Sequence, residues 1–148
     1  MITCQIEKPD YNELLEYMRF QIDDAFPLLR GEERIKSFTE KLFSHADFCF
    51  CRNEGRLVGM IAYYANGRGA NFAYLAQAYV SPGYRKEGLY TRMLNIVTND
   101  VKNKGFYEIQ LEVVSQNEIS LCCHLRKGFK IINSDMPNAQ SYFMSKTI

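Results

Sequence analysis

The order of hydrophobic patterns between residues 72 and 113 restricts the possible folds more than any other feature of the chain. An apolar, strand-like run at 72–80 precedes a segment, 89–101, in which apolar residues recur every four positions, as they do on one face of a helix. Residues 109–113 then alternate between apolar and polar side chains, which is typical of a strand. Because a helical crossover returns the chain to the same end of a sheet, the two strands should pair in parallel.

Two further amphipathic helices are predicted before this unit. The first begins at Asp10, which has capping-box spacing to Glu13, and it ends near Pro27. The second begins at Gly31, and four apolar residues form its predicted buried face: Ile35, Phe38, Leu42 and Phe43. A short strand is predicted at 2–7, ahead of both helices.

The other strand-like runs predict that the rest of the sheet is antiparallel. Runs at 47–52 and 56–65 lead to the run at 72–80 through glycine-containing turns, as in a meander. The last predicted elements are a helix at 117–127 and strands at 130–132 and 141–146. The predicted order is β-α-α-β-β-β-α-β-α-β-β, an α/β fold of the α+β type with a central parallel pair.

The composition predicts one globular domain spanning residues 1–148, with neither nucleic acid nor membrane as a partner. Hydrophobic residues make up 47% of the chain and no Pro/Gly/Ser-rich linker divides it. The formal net charge of +1 leaves no broad basic face for a nucleic acid. The first ten residues resemble neither a signal peptide nor a membrane span, which predicts a cytoplasmic protein.

The cysteines favour reduced thiols over a disulfide framework. They are odd in number and irregularly spaced: Cys4, Cys49, Cys51, Cys122 and Cys123. Most are expected to be small core residues. Two clusters of cysteines with a histidine, around His45 and around His124, leave zinc as an alternative, but no C-x-x-C pair supports it.

The heptapeptide Y-R-K-E-G-L-Y at 84–90 lies where the predicted strand passes into the predicted helix. The first N–H groups of a helix have no internal partners and its dipole adds partial positive charge there, so the loop suits an anion such as a pyrophosphate. Gly88 lets an anion approach the main chain, and Arg85 and Lys86 add formal charge. The phosphate loop of NTPases and the dinucleotide fingerprint both need glycines that are missing here. A solvated turn that only caps the helix is the alternative.

Three signatures follow one another along the second half of the chain. They are V-S-P-G-Y with R-K-E-G-L-Y at 80–90, L-E-V at 111–113, and Asn117, Ser120 and His124 followed by Gly128-Phe129. Together they resemble the GNAT superfamily of acetyl-CoA-dependent N-acetyltransferases, whose pyrophosphate loop has the pattern Q/R-x-x-G-x-G/A. The resemblance covers most of the chain. It implies a mixed, mostly antiparallel sheet of six or seven strands, with the parallel pair splayed into a V and about four flanking helices.

The resemblance implies acetyl-CoA as the cosubstrate, without a metal, and it indicates which residues bind it. Main-chain groups of Ala78, Tyr79 and Val80 would hold the pantetheine, together with Asn117. The diphosphate would lie against the loop and the helix start, formed by Arg85, Lys86, Glu87, Gly88, Leu89, Tyr90 and Thr91. Tyr90 departs from the family pattern, because glycine or alanine is usual at its position.

The resemblance also implies a catalytic base and a catalytic acid. In the protein N-terminal acetyltransferases of the family the glutamate of L-E-V is the general base, and Glu112 matches it. Glu112 would act through water or in a partly desolvated setting, and a solvated strand residue is the alternative. His124 stands where many members have the tyrosine that protonates the departing thiolate. Imidazole can serve the same purpose, and a structural hydrogen bond is the alternative.

The acceptor amine would lie against the first two helices and the final hairpin loop at 135–140. Asp23 and Asp24 would suit a polyamine, whereas Arg30 would meet a phosphate on a nucleotide-linked amino sugar. The segment 23–34 is similar to GNAT members of polysaccharide biosynthesis, which favours a small-molecule amine such as an amino sugar. The alternatives are a protein N-terminus, a non-catalytic acyl-CoA-binding module and an interaction protein with an aromatic surface. Pairing of the final strand with a second copy would give a homodimer.

Overall fold

The computed structural model describes residues 1–66, 71–133 and 140–148, and these ranges contain the predicted elements in the predicted order. The strands are β1 Ile2–Ile6, β2 Asp47–Asn53, β3 Arg56–Tyr64, β4 Phe72–Val80, β5 Glu108–Val114, β6 Lys130–Ile131 and β7 Ser141–Thr147. The α-helices are α1 Tyr11–Ala25, α2 Glu32–His45, α3 Leu89–Asn103 and α4 Glu118–Arg126, with a single 3-10 turn at Pro27–Leu29 between α1 and α2.

The described strands form one mixed sheet in the order β1-β2-β3-β4-β5-β7-β6. Neighbouring strands are antiparallel except for β4 and β5, which are parallel because α3 connects them as a crossover. The α/β prediction with a central parallel pair is therefore confirmed. The predicted turn before β4 and most of the hairpin loop at 135–140 lie outside the described residues.

The parallel pair separates halfway along its length. β4 and β5 are paired only from Phe72 opposite Glu108 to Leu75 opposite Leu111, although both strands continue. The separation coincides with a β-bulge at Ala76. On β3, Tyr63 lies opposite Leu75 and Ala62 lies opposite Gln77, so Ala76 has no opposite residue. The two strands thus splay into a V, and the edge of β4 beyond Leu75 is free of β5.

One face of the sheet packs against α3. The residues that the four-residue spacing predicts to be buried, Leu89, Met93, Val97 and Val101, are all at most 3% exposed and belong to one apolar cluster. Every fourth residue lies on the same side of a helix, so α3 buries a continuous apolar stripe. The helix that follows the loop is therefore anchored along its whole length.

The opposite face packs against α1 and α2. Asp10 caps α1, because its side chain accepts a hydrogen bond from the N–H of Glu13 at 3.0 Å. Leu14, Met18 and Ile22 then point into the sheet and are fully buried. The predicted first helix is confirmed, including its start.

The buried face of α2 differs from its prediction at one position. Ile35 and Leu42 are buried as expected, but Phe43 is 42% exposed and contacts Tyr11 of α1 edge-on. Thr39, which is fully buried, occupies the position between Ile35 and Leu42 on the inner side. The 35-39-42 spacing follows the helical period more closely than a set that includes residue 43.

The cysteines also differ from the expectation of free thiols. Cys4 and Cys51 lie directly opposite each other on β1 and β2 and form a disulfide. Cys49 is a free, buried thiol, as predicted for a core cysteine. The expectation of reduced thiols is therefore wrong for Cys4 and Cys51.

The described ranges contain no helix with the length and apolar composition of a membrane span. In the same ranges, no three His, Cys, Asp or Glu side chains are grouped closely enough to bind a metal ion.

Candidate active site

A cleft opens where β4 and β5 separate. Its inner part is a cavity of about 260 Å³ between residues 75–78 of β4 and 111–114 of β5. A second cavity of about 460 Å³ continues along the starts of α3 and α4. The two cavities share six lining residues: Phe26, Ala78, Tyr90, Asn117, Ser120 and His124. Most of the residues predicted from the family signatures thus lie around one cleft.

The loop before α3 presents main-chain N–H groups at the outer end of this cleft. Within the described chain, none of the N–H groups of residues 85–91 donates a hydrogen bond to another protein group. Gly88 caps α3 in the left-handed conformation, with φ of +77°, and Lys86 is left-handed as well. A Cβ at Gly88 would meet no atom within 4 Å, so the space above it is open. The loop therefore fits a phosphate group.

Arg85 does not extend over the helix start. Its guanidinium donates hydrogen bonds to the Val80 carbonyl and to the Asp24 carboxylate, both at 2.8 Å, and lies over the Tyr79 ring. The Tyr79 hydroxyl also donates to Asp24, at 2.7 Å. The Tyr79 hydroxyl and Arg85 together hold the pKa of Asp24 below its ordinary value. Arg85 thus links the loop before α3 to α1, whereas Lys86 is exposed.

A further cation at the start of α3 comes from the end of α4. Lys127 donates from Nζ to the Thr91 hydroxyl at 2.6 Å, and its ammonium lies 6.0 Å from the centre of the Tyr90 ring. The sequence did not single out this residue, although it directly precedes the Gly128-Phe129 signature. Its position adds positive charge where the loop N–H groups already favour an anion.

His124 is buried and hydrogen-bonded on both ring nitrogens. Nδ1 lies 2.8 Å from the Ser120 carbonyl oxygen, which only accepts, so Nδ1 carries a proton. Nε2 lies 2.7 Å from the Tyr90 hydroxyl. Burial lowers the pKa of His124 below its ordinary value, and the nearby Lys127 acts in the same direction. In the neutral ring Nε2 is therefore the acceptor, and Tyr90 donates to it.

Tyr90 reaches His124 from the second position of α3. The rings meet edge-on with centroids 5.5 Å apart, and Phe129 also packs edge-on against the imidazole, with centroids 5.4 Å apart. Burial raises the pKa of Tyr90 above its ordinary value, so the hydroxyl is protonated. The sequence predicted Tyr90 as a diphosphate-binding residue that departs from the family pattern, but its contact with His124 was not predicted.

Glu112 and Asn117 both line the inner cavity. Glu112 is exposed and lies one residue beyond Leu111, the last residue of β5 that pairs with β4. Asn117 caps α4, because its Oδ1 accepts a hydrogen bond from the Ser120 N–H at 3.1 Å. Its amide nitrogen has no hydrogen-bond acceptor among the described residues, so it is available to a ligand.

The residues proposed for acceptor binding are not brought to one place. Phe26 lines both cavities, and Asp24 accepts a hydrogen bond from Arg85, which lines the outer cavity. Asp23 and Arg30 instead line a separate surface pocket of about 500 Å³ beside α1 and α2. The paired acidic residues therefore do not form a common cation site.

The family comparison agrees with this geometry. A model of the acetyltransferase (GNAT) family matches residues 11–129, which span most of the chain. The chain therefore belongs to the GNAT acetyltransferase family, and the resemblance of the three signatures is confirmed.

Solved structures of the same fold match nearly the whole chain at low identity. PaiA N-acetyltransferase from Thermoplasma acidophilum, in complex with coenzyme A, is 23% identical with a TM-score of 0.77, and each chain covers 99% of the other. NAA60 from Arabidopsis thaliana, in complex with a bisubstrate analogue, is 18% identical with a TM-score of 0.71 and coverages of 100% and 98%. Aminoglycoside 6'-acetyltransferase type Ii is 18% identical with a TM-score of 0.74 and coverages of 97% and 96%. A comparison with curated proteins gives no significant match.

Proposed function

We propose that the protein is an N-acetyltransferase that transfers the acetyl group of acetyl-CoA to a primary amine by direct attack in a ternary complex. One observation carries the proposal: the cleft between β4 and β5 opens beside a helix start whose N–H groups at residues 85–91 have no protein partner in the described chain. An anionic group bound at the helix start would direct the rest of an elongated ligand into the cleft.

The diphosphate of acetyl-CoA fits the chemistry of this loop. Hydrogen bonds to a charged group contribute about 1.5 to 3 kcal/mol each, so several N–H donors would anchor it. Lys86 and Lys127 supply positive charge, while main-chain groups of residues 78–80 and the free amide of Asn117 would hold the pantetheine. Coenzyme A is bound by the PaiA neighbour, which supports the same ligand here.

Glu112 is the proposed base that keeps the acceptor amine neutral. Glu112 lines the inner cavity. Burial raises the pKa of Tyr74 on β4, and the nearby charge of Glu112 acts in the same direction. Because Glu112 is exposed, a water molecule would relay the proton from the ammonium form of the acceptor. His124 is proposed to take part in proton transfer to the departing sulfur. Because its Nε2 is hydrogen-bonded to the Tyr90 hydroxyl, the proton would pass through Tyr90.

A small amine such as an amino sugar is the proposed acceptor. Aminoglycoside 6'-acetyltransferase, a structural neighbour, acts on an amino sugar compound, and the cleft is small enough to suit such a group. A protein N-terminus is the second candidate, because Glu112 lies in the cleft and the NAA60 neighbour was solved with a bisubstrate analogue. A polyamine has less support, since Asp24 is already paired with Arg85 and Asp23 lies elsewhere.

Calorimetry and thiol release test this proposal together. Acetyl-CoA is titrated into the protein, and release of the CoA thiol is followed with a panel of amino sugars, aminoglycosides, polyamines and peptide N-termini. Lys86→Ala should weaken acetyl-CoA binding about tenfold, or about 1.4 kcal/mol. Lys36→Ala, an exposed lysine of α2, is the matched control and should not change the affinity. Binding without acetylation of any amine would indicate a non-catalytic module, and absence of binding would refute the proposal.

A further inference from the structure

We propose that Tyr90 and His124 form a proton relay that carries a proton from the attacking amine to the departing CoA sulfur. The proposal rests on the proposed acetyltransferase function and assigns a second residue to its chemistry. Tyr90 would be the catalytic residue that touches the reacting atoms, and His124 would act through it.

The hydrogen-bond directions define the starting state of the relay. The Ser120 carbonyl accepts from Nδ1 of His124 at 2.8 Å, which leaves Nε2 with a lone pair. The Tyr90 hydroxyl lies 2.7 Å from that nitrogen and is the donor. The phenol oxygen keeps lone pairs that can accept a proton while its own proton moves to Nε2.

Both residues line the cleft in which the thioester would lie. Tyr90 and His124 line the inner cavity between β4 and β5 as well as the outer cavity beside the loop. The family pattern has glycine or alanine at the position of Tyr90 and, in many members, a tyrosine at the position of His124. In this chain the phenol comes from α3 and the imidazole from α4, and the two meet in one hydrogen bond.

The relay accounts for every proton in the transfer. The neutral amine forms the C–N bond to the thioester carbon, the carbonyl electron pair moves to oxygen, and the nitrogen becomes positively charged. Tyr90 accepts the N–H proton as its own proton shifts to Nε2 of His124. The C=O bond then reforms, the C–S bond breaks with its electron pair on sulfur, and the proton returns from Nε2 to Tyr90 while Tyr90 protonates sulfur. The products are the amide and the CoA thiol, and both residues regain their starting state.

The surroundings of the pair favour its neutral resting form. The charged or titratable groups that face it are Lys127, whose ammonium lies 6.0 Å from the centre of the Tyr90 ring, and the thiol of Cys123. Lys127 and burial both oppose a permanent imidazolium, whereas the Ser120 carbonyl stabilises a transient one. A neutral imidazole is the form that can accept the proton of Tyr90.

Kinetics of Tyr90→Phe tests the relay. We expect kcat for the most active amine of the panel to fall about 100-fold or more, as for loss of a general acid–base group, with the KM for acetyl-CoA changed by less than about threefold. Tyr63→Phe is the matched control, because the Tyr63 hydroxyl also donates at 2.7 Å, to Asp100 on the α3 face. It should lose stability but keep kcat.

The relay further predicts that Tyr90 and His124 act as a unit. His124→Gln keeps a hydrogen-bond acceptor for Tyr90 but cannot take its proton, so kcat should fall about as far as in Tyr90→Phe. The double variant should be no slower than either single variant, because residues that act as one unit are non-additive. Losses that multiply in the double variant would overturn the relay.

Nitrogen NMR of the ligand-free protein gives a readout that does not depend on turnover. We expect His124 to be the neutral tautomer with the proton on Nδ1, and its pKa to rise in Tyr90→Phe because the donor to Nε2 is lost. His45, the only other histidine in the sequence, is the internal reference. A proton on Nε2 in the wild type would overturn the relay.

The kinetic outcomes separate the relay from the proposed function. A wild-type protein that acetylates no amine would refute the function and the relay together. An active wild type whose Tyr90→Phe variant keeps kcat within about threefold would refute the relay alone, since the acid–base contribution would be missing.

Discussion

The two faces of the sheet hold their helices in different ways. On the α3 face the contact is mostly apolar and close: a Cβ at Gly59 would lie only 3.1 Å from Cε of Met93, and the hydrogen bond from Tyr63 to Asp100 is partly buried. On the α1 and α2 face the core includes buried polar groups. Gln77 donates to Gln21 at 2.9 Å, and the Tyr17 and Ser81 hydroxyls are hydrogen-bonded at 2.8 Å.

The two kinds of contact suit the helices that they hold against the sheet. Apolar packing is strong but not directional, and it supplies most of the contact of α3, whose start is already set by the loop that follows β4. Hydrogen bonds are directional, so they set the position of α1 along β4. Because α1 leads to Phe26 at the cleft and carries Asp24 beside Arg85, its position affects the shape of the cleft.

The largest loss of unfolding free energy is expected from a substitution in the mostly apolar contact between the sheet and α3. Met93→Ala removes a fully buried side chain and should lower the free energy of unfolding by about 2–5 kcal/mol. Leu28→Ala, at a side chain that is 83% exposed, should change it by less than about 0.5 kcal/mol. Urea denaturation of both variants measures the difference. A loss below about 1 kcal/mol for Met93→Ala would mean that the α3 contact is not closely packed.

A smaller loss of unfolding free energy is expected when the hydrogen bond between Gln77 and Gln21 on the other face is removed. Gln77→Leu leaves the buried Gln21 carbonyl without its donor and should cost about 1–3 kcal/mol of unfolding free energy. The double variant Gln21→Leu/Gln77→Leu should recover part of that loss, because no buried acceptor remains unpaired. If the losses of the two single variants add in the double variant, the two glutamines are not coupled through this hydrogen bond.

Thr39 offers a test with the opposite sign. Its hydroxyl oxygen is buried and has no hydrogen-bond partner in the described part of the chain. Thr39→Val keeps the branched shape and should raise the free energy of unfolding by about 1 kcal/mol, because an unpaired buried hydroxyl is unfavourable. Thr39→Ser, which keeps the hydroxyl, is the control. A lower stability for the valine variant would show that the hydroxyl has a partner in solution.

The smallest effect is expected at the edge of the same face and depends on pH. The hydrogen bond from Arg52, with its charge, holds the pKa of Glu13 below its ordinary value. The carboxylate therefore stabilises the fold at pH above the unfolded value, near 4.3, and this contribution is lost as pH falls through the lower folded value. Glu13→Gln should cost less than about 1 kcal/mol near pH 7, because the pair is partly exposed.

Denaturation of wild type and Glu13→Gln across the acid range measures that difference. The gap between the two should close at low pH, where both side chains are neutral. Glu16→Gln, an exposed neighbour on α1, is the control and should show a smaller gap at neutral pH. A gap that widens on acidification would reverse the assigned sign.

Periodicity was sufficient to predict most of the fold. The stripe of α3 and the alternation of β5 are local patterns, and the parallel pair follows from the crossover between them. The bulge at Ala76 was not predicted, because the pattern of β4 does not show which residue lacks an opposite neighbour on β3. Phe43 was misplaced because a side chain one position off the helical stripe can still pack against Tyr11.

The candidate site was predictable as a set of residues but not as a set of contacts. Tyr90 and His124 are 34 positions apart, and only the tertiary fold brings their side chains together. Arg85 forms its hydrogen bond with Asp24, 61 positions earlier, and does not extend over the helix start. Such pairings depend on tertiary geometry, which local sequence patterns do not encode.

The bulge at Ala76 makes the cleft sensitive to deletion as well as to substitution. Up to Leu75 the odd-numbered side chains of β4 face α3, whereas after the bulge Gln77 and Tyr79 face α1. Deleting Ala76 would remove the extra residue, so that Gln77 followed Leu75 in strict alternation and still faced α1, while the bulge at the opening of the cleft would be lost. A one-codon deletion at Ala76 would therefore keep both cores in register and remove the bulge that coincides with the separation of β4 and β5.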